Sequence, residues 1–195
     1  MSEFTLHART AFGRAEPLRD SWPGFAVTEE TGVALASVAA RRGAGAALRA
    51  AARRHFSLDP PGPGWCAAGT PVGFFWIGHE QWFAEAARDT LPDLASALGA
   101  ALGDTAAITD QSDAWARLRL AGPRTRDVLE KLSPLDHDPS AFPTGAVART
   151  VMEHVAVIIM AVSDEPAFTL LTPRSSARSF RAHLHHAAAS TRGPA

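Results

Sequence analysis

Cysteine is almost missing from this 195-residue chain, in which Cys66 stands alone. A single thiol can form no internal disulfide and can build no cysteine-based zinc or iron–sulfur site. It lies between Trp65 and Ala67 in a loop rich in proline and glycine, without a basic neighbour to hold a thiolate, so a buried and unreactive thiol is expected. An excess of charge is missing too. The 19 basic and 20 acidic residues are interspersed and sum to -1, which gives no field to gather nucleic acid or anionic lipid. No apolar run reaches membrane-spanning length, and the segment Met1 to Arg9 carries charges where an export signal needs an unbroken apolar core. A cytoplasmic protein with no membrane partner is expected. Lysine is scarce beside arginine and alanine, and no function attaches to that.

Catalytic motifs are equally thin. There is no Walker-type phosphate loop, and neither Ser21 nor Ser112 sits in a glycine elbow. Gly43-Ala-Gly45-Ala-Ala-Leu48 imitates the start of a dinucleotide fingerprint, but Leu48 occupies the place of the third glycine and a glycine-rich helix entry explains it better. His183 and His186, three apart on one helix face, form with His185 the densest group of metal-ligand types, yet no carboxylate neighbours them in sequence. Asp136-His137-Asp138 could suggest a relay, but adjacent residues in an extended chain point to opposite sides. A turn before Pro139, with Phe142 filling an apolar gap, is expected instead. No catalytic, cofactor-binding or metal residue is therefore assigned.

What the chain does have is 46% hydrophobic content, enough for a sizeable core. Residues 1–21 show no sustained period and read as an extended arm. Residues 22–188 read as one unit of two lobes, about 22–103 and 104–188, followed by a tail over 189–195. Strands are expected at Val33–Ala40, Phe74–Ile77 and from Trp115, where Ala116, Leu118 and Leu120 alternate with Trp115, Arg117 and Arg119. Ala44–Phe56 reads as helix. So does Glu80–Gly103, divided by Pro92 into two consecutive helices with Thr90 or Asp93 as cap. Gly122-Pro123 ends the strand before a short helix carrying Val128, Leu129 and Leu132. Strands follow at Ala146–Glu153, Val155–Val162 and Phe168–Thr172, then a final helix capped by Ser175 or Ser176 with Phe180 and Leu184 inward. Strands following one another across short turns favour an antiparallel α+β architecture with flanking helices.

Tryptophan supplies the anchors. Trp76, Trp82 and Trp115 lie in or beside apolar runs and are expected in the core. Trp22, Phe25 and Trp65 lie among prolines and glycines, where aromatic residues are enriched at contacts with other proteins. These three are the candidate partner contacts.

The stretch Ile108–Thr150, with Ile108-Thr-Asp-Gln-Ser-Asp-Ala114, Leu120-Ala-Gly-Pro-Arg-Thr-Arg-Asp-Val-Leu129 and Pro134-Leu-Asp-His-Asp-Pro-Ser-Ala-Phe-Pro-Thr-Gly145, resembles the gamma-subunit family of heterotetrameric sarcosine oxidases. Phe75-Trp-Ile-Gly-His-Glu-Gln-Trp-Phe83 is similar to that family's apolar strand and Trp-bearing helix, although His79 stands where the family usually has proline. Ala148-Arg-Thr150, Phe168-Thr-Leu-Leu171 and Pro173 through Phe180 extend the likeness over roughly Trp22 to Ala188. The resemblance implies an antiparallel α+β fold with ferredoxin-like elements, that of the aminomethyltransferase (glycine-cleavage T protein) folate-binding superfamily. It also implies a complex with alpha, beta and delta subunits, in which FAD, FMN, NAD, zinc and tetrahydrofolate are held outside this chain. The implied reaction is oxidation of sarcosine to glycine with formation of hydrogen peroxide, the one-carbon unit passing to tetrahydrofolate or leaving as formaldehyde. The alternative is a stand-alone folate-binding or aminomethyltransferase-like protein.

Overall fold

The computed structural model describes residues 7–163 and 165–191. Its elements run β1 (Arg19–Trp22), β2 (Phe25–Glu29), β3 (Val33–Ala40), α1 (Gly45–Phe56), β4 (Cys66–Ala67), β5 (Gly73–Gly78), β6 (Gln81–Ala87), α2 (Leu94–Leu102), β7 (Ala106–Asp110), β8 (Trp115–Ala121), α3 (Thr125–Glu130), β9 (Val147–Met152), β10 (Val155–Ser163), β11 (Ala167–Pro173) and α4 (Ala177–Ser190). The strands form a six-stranded sheet ordered β1-β2-β8-β11-β10-β9 and a five-stranded sheet ordered β4-β5-β6-β3-β7. Every named pairing is antiparallel.

Side-chain alternation turns these two sheets into four layers. Along β8, Ala116, Leu118 and Leu120 are buried with Val128, Leu129, Phe180 and Leu184 of α3 and α4. On the smaller sheet, Ala34, Ala36, Trp82 and Ala84 face Leu48, Leu94, Leu98 and Leu102 of α1 and α2. Between the sheets, Leu35, Phe75 and Phe83 of one meet Val147, Ile158, Met160 and Leu171 of the other. The antiparallel α+β architecture expected from the sequence is the one observed.

Four expectations are corrected. Residues 81–87 are strand β6, not helix, and the Trp-bearing helix implied by the resemblance is this strand. Its Trp82 and Phe83 are both buried, one toward the helices and the other between the sheets, so the two-residue period is hidden. The second helix of that segment does form, and Asp93 caps it by accepting from the N–H of Ser96 at 3.0 Å. The described part of the N-terminal arm is not outside the core: Phe12 and Leu18 are buried, and β1 begins at Arg19. Residues 1–6 lie outside the described set. The boundary near residue 103 does not separate the sheets, because β1 and β2 join the sheet of β8–β11 while β7 joins that of β3–β6. At the other end α4 extends to Ser190, past the expected start of the tail.

Gly122 is required where these exchanges meet. It adopts φ +118, and a Cβ there would lie 2.5 Å from the carbonyl oxygen of Gly24 in the β1–β2 turn. Only glycine permits both.

Candidate functional site: the cleft between the sheets

The space between the sheets opens into a cavity of about 310 Å³ beside the starts of β3 and β8. Leu35, Trp115 and Leu171 continue the inter-sheet core into its wall, and residues between Ala8 and Pro17 border it. That border is fastened from below. Glu29, only 5% exposed, accepts the N–H of Ala11 at 3.0 Å on one carboxylate oxygen and that of Leu18 at 2.9 Å on the other.

Arg117 projects from β8 into the cleft. Its Nε donates to Glu30 at 2.8 Å and its Nη1 donates to Glu85 of the facing sheet. Burial alone would lower the pKa of the guanidinium, but the charges of Glu85 and Glu30 overcome that and raise it. A second cavity, of about 330 Å³, lies against Gly69–Pro71 and Glu85. Arg117 and Val33 line both cavities, so the ion cluster stands between them.

Other arginines ring the first cavity more loosely. Arg88 approaches Asp113 only to 3.9 Å, and Arg174 donates from Nη2 to the carbonyl of Arg9 at 2.6 Å. Ser112 is hydrogen-bonded on both sides. Its hydroxyl donates to Asp110 at 2.7 Å and lies 3.1 Å from the N–H of Leu35. The Ser112 hydroxyl, followed by its backbone N–H, holds the Asp110 carboxyl below the usual range.

The residues singled out in the sequence are dispersed. Phe25 is 2% exposed within the core of its own chain, which corrects its placement as a partner contact. Trp22 is half-buried, stacked on Phe25 with ring centroids 5.5 Å apart and edge-on to His185 at 5.5 Å. Trp65 is 47% exposed, although its backbone bridges Ala146, the residue before β9. Trp82 is buried as expected and its indole donates to Pro61 at 2.8 Å. Cys66 is half-buried, and its thiol pKa is raised first by burial and then by the charge of Glu85. Gly43 and Gly45 lead into α1, where a Cβ on Gly45 would meet the Glu80 carboxylate.

Asp138 turns the chain rather than relaying charge, accepting from the N–H of Ser140 at 2.8 Å and from its hydroxyl at 2.6 Å. His137 is 1% exposed between Phe142 and Phe168, and neither ring nitrogen has a hydrogen-bond partner among the described residues. His183, lacking a carboxylate neighbour in sequence, has one in space: Glu153 lies 3.7 Å away. Among the described residues no group of three or more His, Cys, Asp or Glu could hold a metal, and no helix is long and apolar enough to cross a membrane.

Sequence reasoning missed Glu29, Glu30 and Glu85, and it placed Arg117 on a strand face without its partners. The ion pairs join residues 87 and 32 positions apart, a separation no local pattern encodes.

An antiparallel α+β body with helices on both outer faces and an arginine-rich inter-sheet cleft is the class of protein defined here. The GCVT N-terminal domain family matches residues 75–192, more than half of the chain, and the chain belongs to that family. A sarcosine oxidase subunit gamma from Corynebacterium sp. (strain P-1) is 32% identical over 119 residues, 60% of this chain and 54% of the relative. The match thus spans about half the length of that relative. Among solved structures, a heterotetrameric sarcosine oxidase from Corynebacterium sp. U-96 in complex with pyrrole 2-carboxylate gives a TM-score of 0.75 at 23% identity, covering 88% of each chain. The glycine cleavage system aminomethyltransferase T of Bartonella henselae gives 0.62 at 13% identity over 80% of this chain and 44% of that one. The fold is that of the aminomethyltransferase folate-binding domain.

Proposed function

We propose that this chain is the gamma subunit of a heterotetrameric sarcosine oxidase and that it contributes shape rather than bond-making groups. The observation carrying this is the 32% identity to a sarcosine oxidase subunit gamma, and three of the side chains weighed for reactivity are engaged within the fold. Ser112 is closed onto Asp110, His137 is packed between two phenylalanines, and the Cys66 thiol is pushed up. In this proposal alpha, beta and delta subunits are the partners, and FAD, FMN, NAD, zinc and tetrahydrofolate belong to them. The complex oxidises sarcosine to glycine in the cytoplasm, forming hydrogen peroxide and passing the one-carbon unit to tetrahydrofolate or releasing formaldehyde. Trp65, and the exposed part of Trp22, face a neighbouring subunit.

Affinity purification of the tagged chain from its native cell tests this. A flavin-coloured complex with sarcosine-dependent peroxide formation is expected. Alpha, beta and delta subunits that assemble and turn over normally without this chain would overturn it.

Membership of the GCVT N-terminal domain family favours a second reading, a stand-alone folate-binding or aminomethyltransferase-like protein. Fold alone does not convey function. Titration of the isolated chain with tetrahydrofolate separates the two: stoichiometric tight binding selects the second reading, and no binding selects the subunit.

A further inference from the structure

We propose that the open edge of β9, the last strand of the larger sheet, takes up an extended segment of a neighbouring subunit as a further strand. The inference rests on the reading of this chain as one member of a complex and adds the mode of contact.

The sheet order leaves β9 with β10 on one side and no strand of its own sheet on the other. Two features fix which of its backbone groups face outward. At the far end Met152 pairs with Val155 across Glu153 and His154, whose φ values of 48 and 67 belong to a two-residue type I′ turn. The closing pair of such a turn exchanges hydrogen bonds, so Met152, Thr150 and Ala148 direct their N–H and C=O groups toward β10. Arg149 and Val151 direct theirs away. The near end has the same phase: the N–H of Val147 donates outward to the Gly64 carbonyl at 2.7 Å, and the Gly145 carbonyl accepts from the N–H of Cys66 at 2.9 Å. A covering strand thus begins within this chain and stops. Gly64, at φ 79, turns it aside, and the N–H of Trp65 closes back on the Gly62 carbonyl at 3.3 Å. The outward N–H and C=O groups of Arg149 and Val151 remain in the spacing that another extended backbone matches.

Side chains mark the same edge. Among the described residues the exposed large hydrophobics are Trp65, at 47%, and Val151, at 55%. They bracket it, since Trp65 lies opposite Ala146 and Val151 stands five residues further on, about 17 Å at the rise of a strand. Ala156, beside Val151 on β10, is exposed as well. Edges kept from association carry charge along them. Arg149 is the one charge of β9, and its Nη1 is drawn aside to the carbonyl of Ile77 on β5 at 2.9 Å. The other sheet ends differ: β1 carries Arg19 and Asp20, with Asp20 held by Arg181 at 2.7 and 3.0 Å, and β7 has no exposed large hydrophobic residue. A second copy of this chain fits less well, because a two-fold pairing of β9 that uses both outward residues sets Arg149 against Val151 of the copy and strips water from the charge without pairing it. The occupant is an extended segment of about five residues with an apolar, β-branched side chain beside Val151.

Hydrogen exchange resolved to single amides, on the full chain alone and on its complex with co-expressed partner subunits, provides the test. In the chain alone the amides of Arg149 and Val151 exchange fast and those of Ala148 and Thr150 slowly; in the complex Arg149 and Val151 are expected to slow by at least about tenfold. Val151→Pro removes an outward N–H and leaves the bonds to β10, so it should weaken assembly by about tenfold. Val151→Thr keeps the N–H and should weaken assembly by less than about threefold. If Val151→Pro does not fold, exchange in the parent complex still decides. A complex that forms and oxidises sarcosine while both amides exchange as in the free chain would overturn the strand addition and leave the subunit reading standing. Unchanged assembly of a folded Val151→Pro would do the same, as would protection that grows with the concentration of the isolated chain, the mark of a second copy. Absence of any complex would remove both.

Discussion

His137 shows how one side chain can make stability depend on pH. Burial lowers its pKa, Asp136 opposes that and Arg126 adds to it, while the ring lies between Phe142 and Phe168 without a hydrogen-bond partner among the described residues. The folded chain therefore keeps the imidazole neutral where the unfolded chain, with a pKa of about 6.5, takes up a proton. Stability from this residue is complete above about pH 6.5 and falls as pH drops toward the lowered folded pKa, by at most about 1.4 kcal/mol per pH unit. Urea titrations at a series of pH values should show this slope flattened in His137→Phe; an unchanged slope would assign it to other groups. Glu29 is a second single-residue dependence, because its carboxylate receives two N–H groups of the N-terminal segment. Glu29→Ala should cost about 2–4 kcal/mol in denaturant unfolding, and Glu29→Gln, which retains one acceptor, about half as much.

Among the elements, the contact of β8 with β6 is the most dependent on charge. Arg117 bridges Glu85 on the facing sheet and Glu30 after β2, with 16% of its side chain exposed. Arg117→Gln leaves two carboxylates facing each other, and a loss of about 1–3 kcal/mol is expected at neutral pH. Thermal melts of the parent chain and Arg117→Gln at pH 7.5 would reveal it. β8 itself was legible in the sequence because only one of its faces is deeply buried, and α4 was legible through Phe180 and Leu184. β6 was not, since a strand covered on both sides loses its alternation and Ala84, Glu85, Ala86 and Ala87 favour helix intrinsically. β1, β2 and β7 are only 4, 5 and 5 residues long, and distant partners rather than local pattern place them. The cleft escaped notice for the same reason, being assembled from segments near residues 9, 30, 88, 117 and 174.

At the scale of the whole molecule, Trp65 divides stability from assembly. Its exposed ring contributes little to the isolated chain, and its backbone bridge to Ala146 survives truncation of the side chain. Trp65→Ala should leave the melting temperature within about 2 °C while reducing recovery of the complex in a pull-down with co-expressed partner subunits. Full recovery would move the interface elsewhere. The exchange of strands between the sheets has a consequence for biosynthesis. β2 pairs with β8, so Val27 waits for Leu120 before its edge is satisfied. As the ribosome delivers the chain from its N-terminus, the first hairpin is left without its neighbour until most of the polypeptide has emerged, and neither half can be matured separately before the other is made.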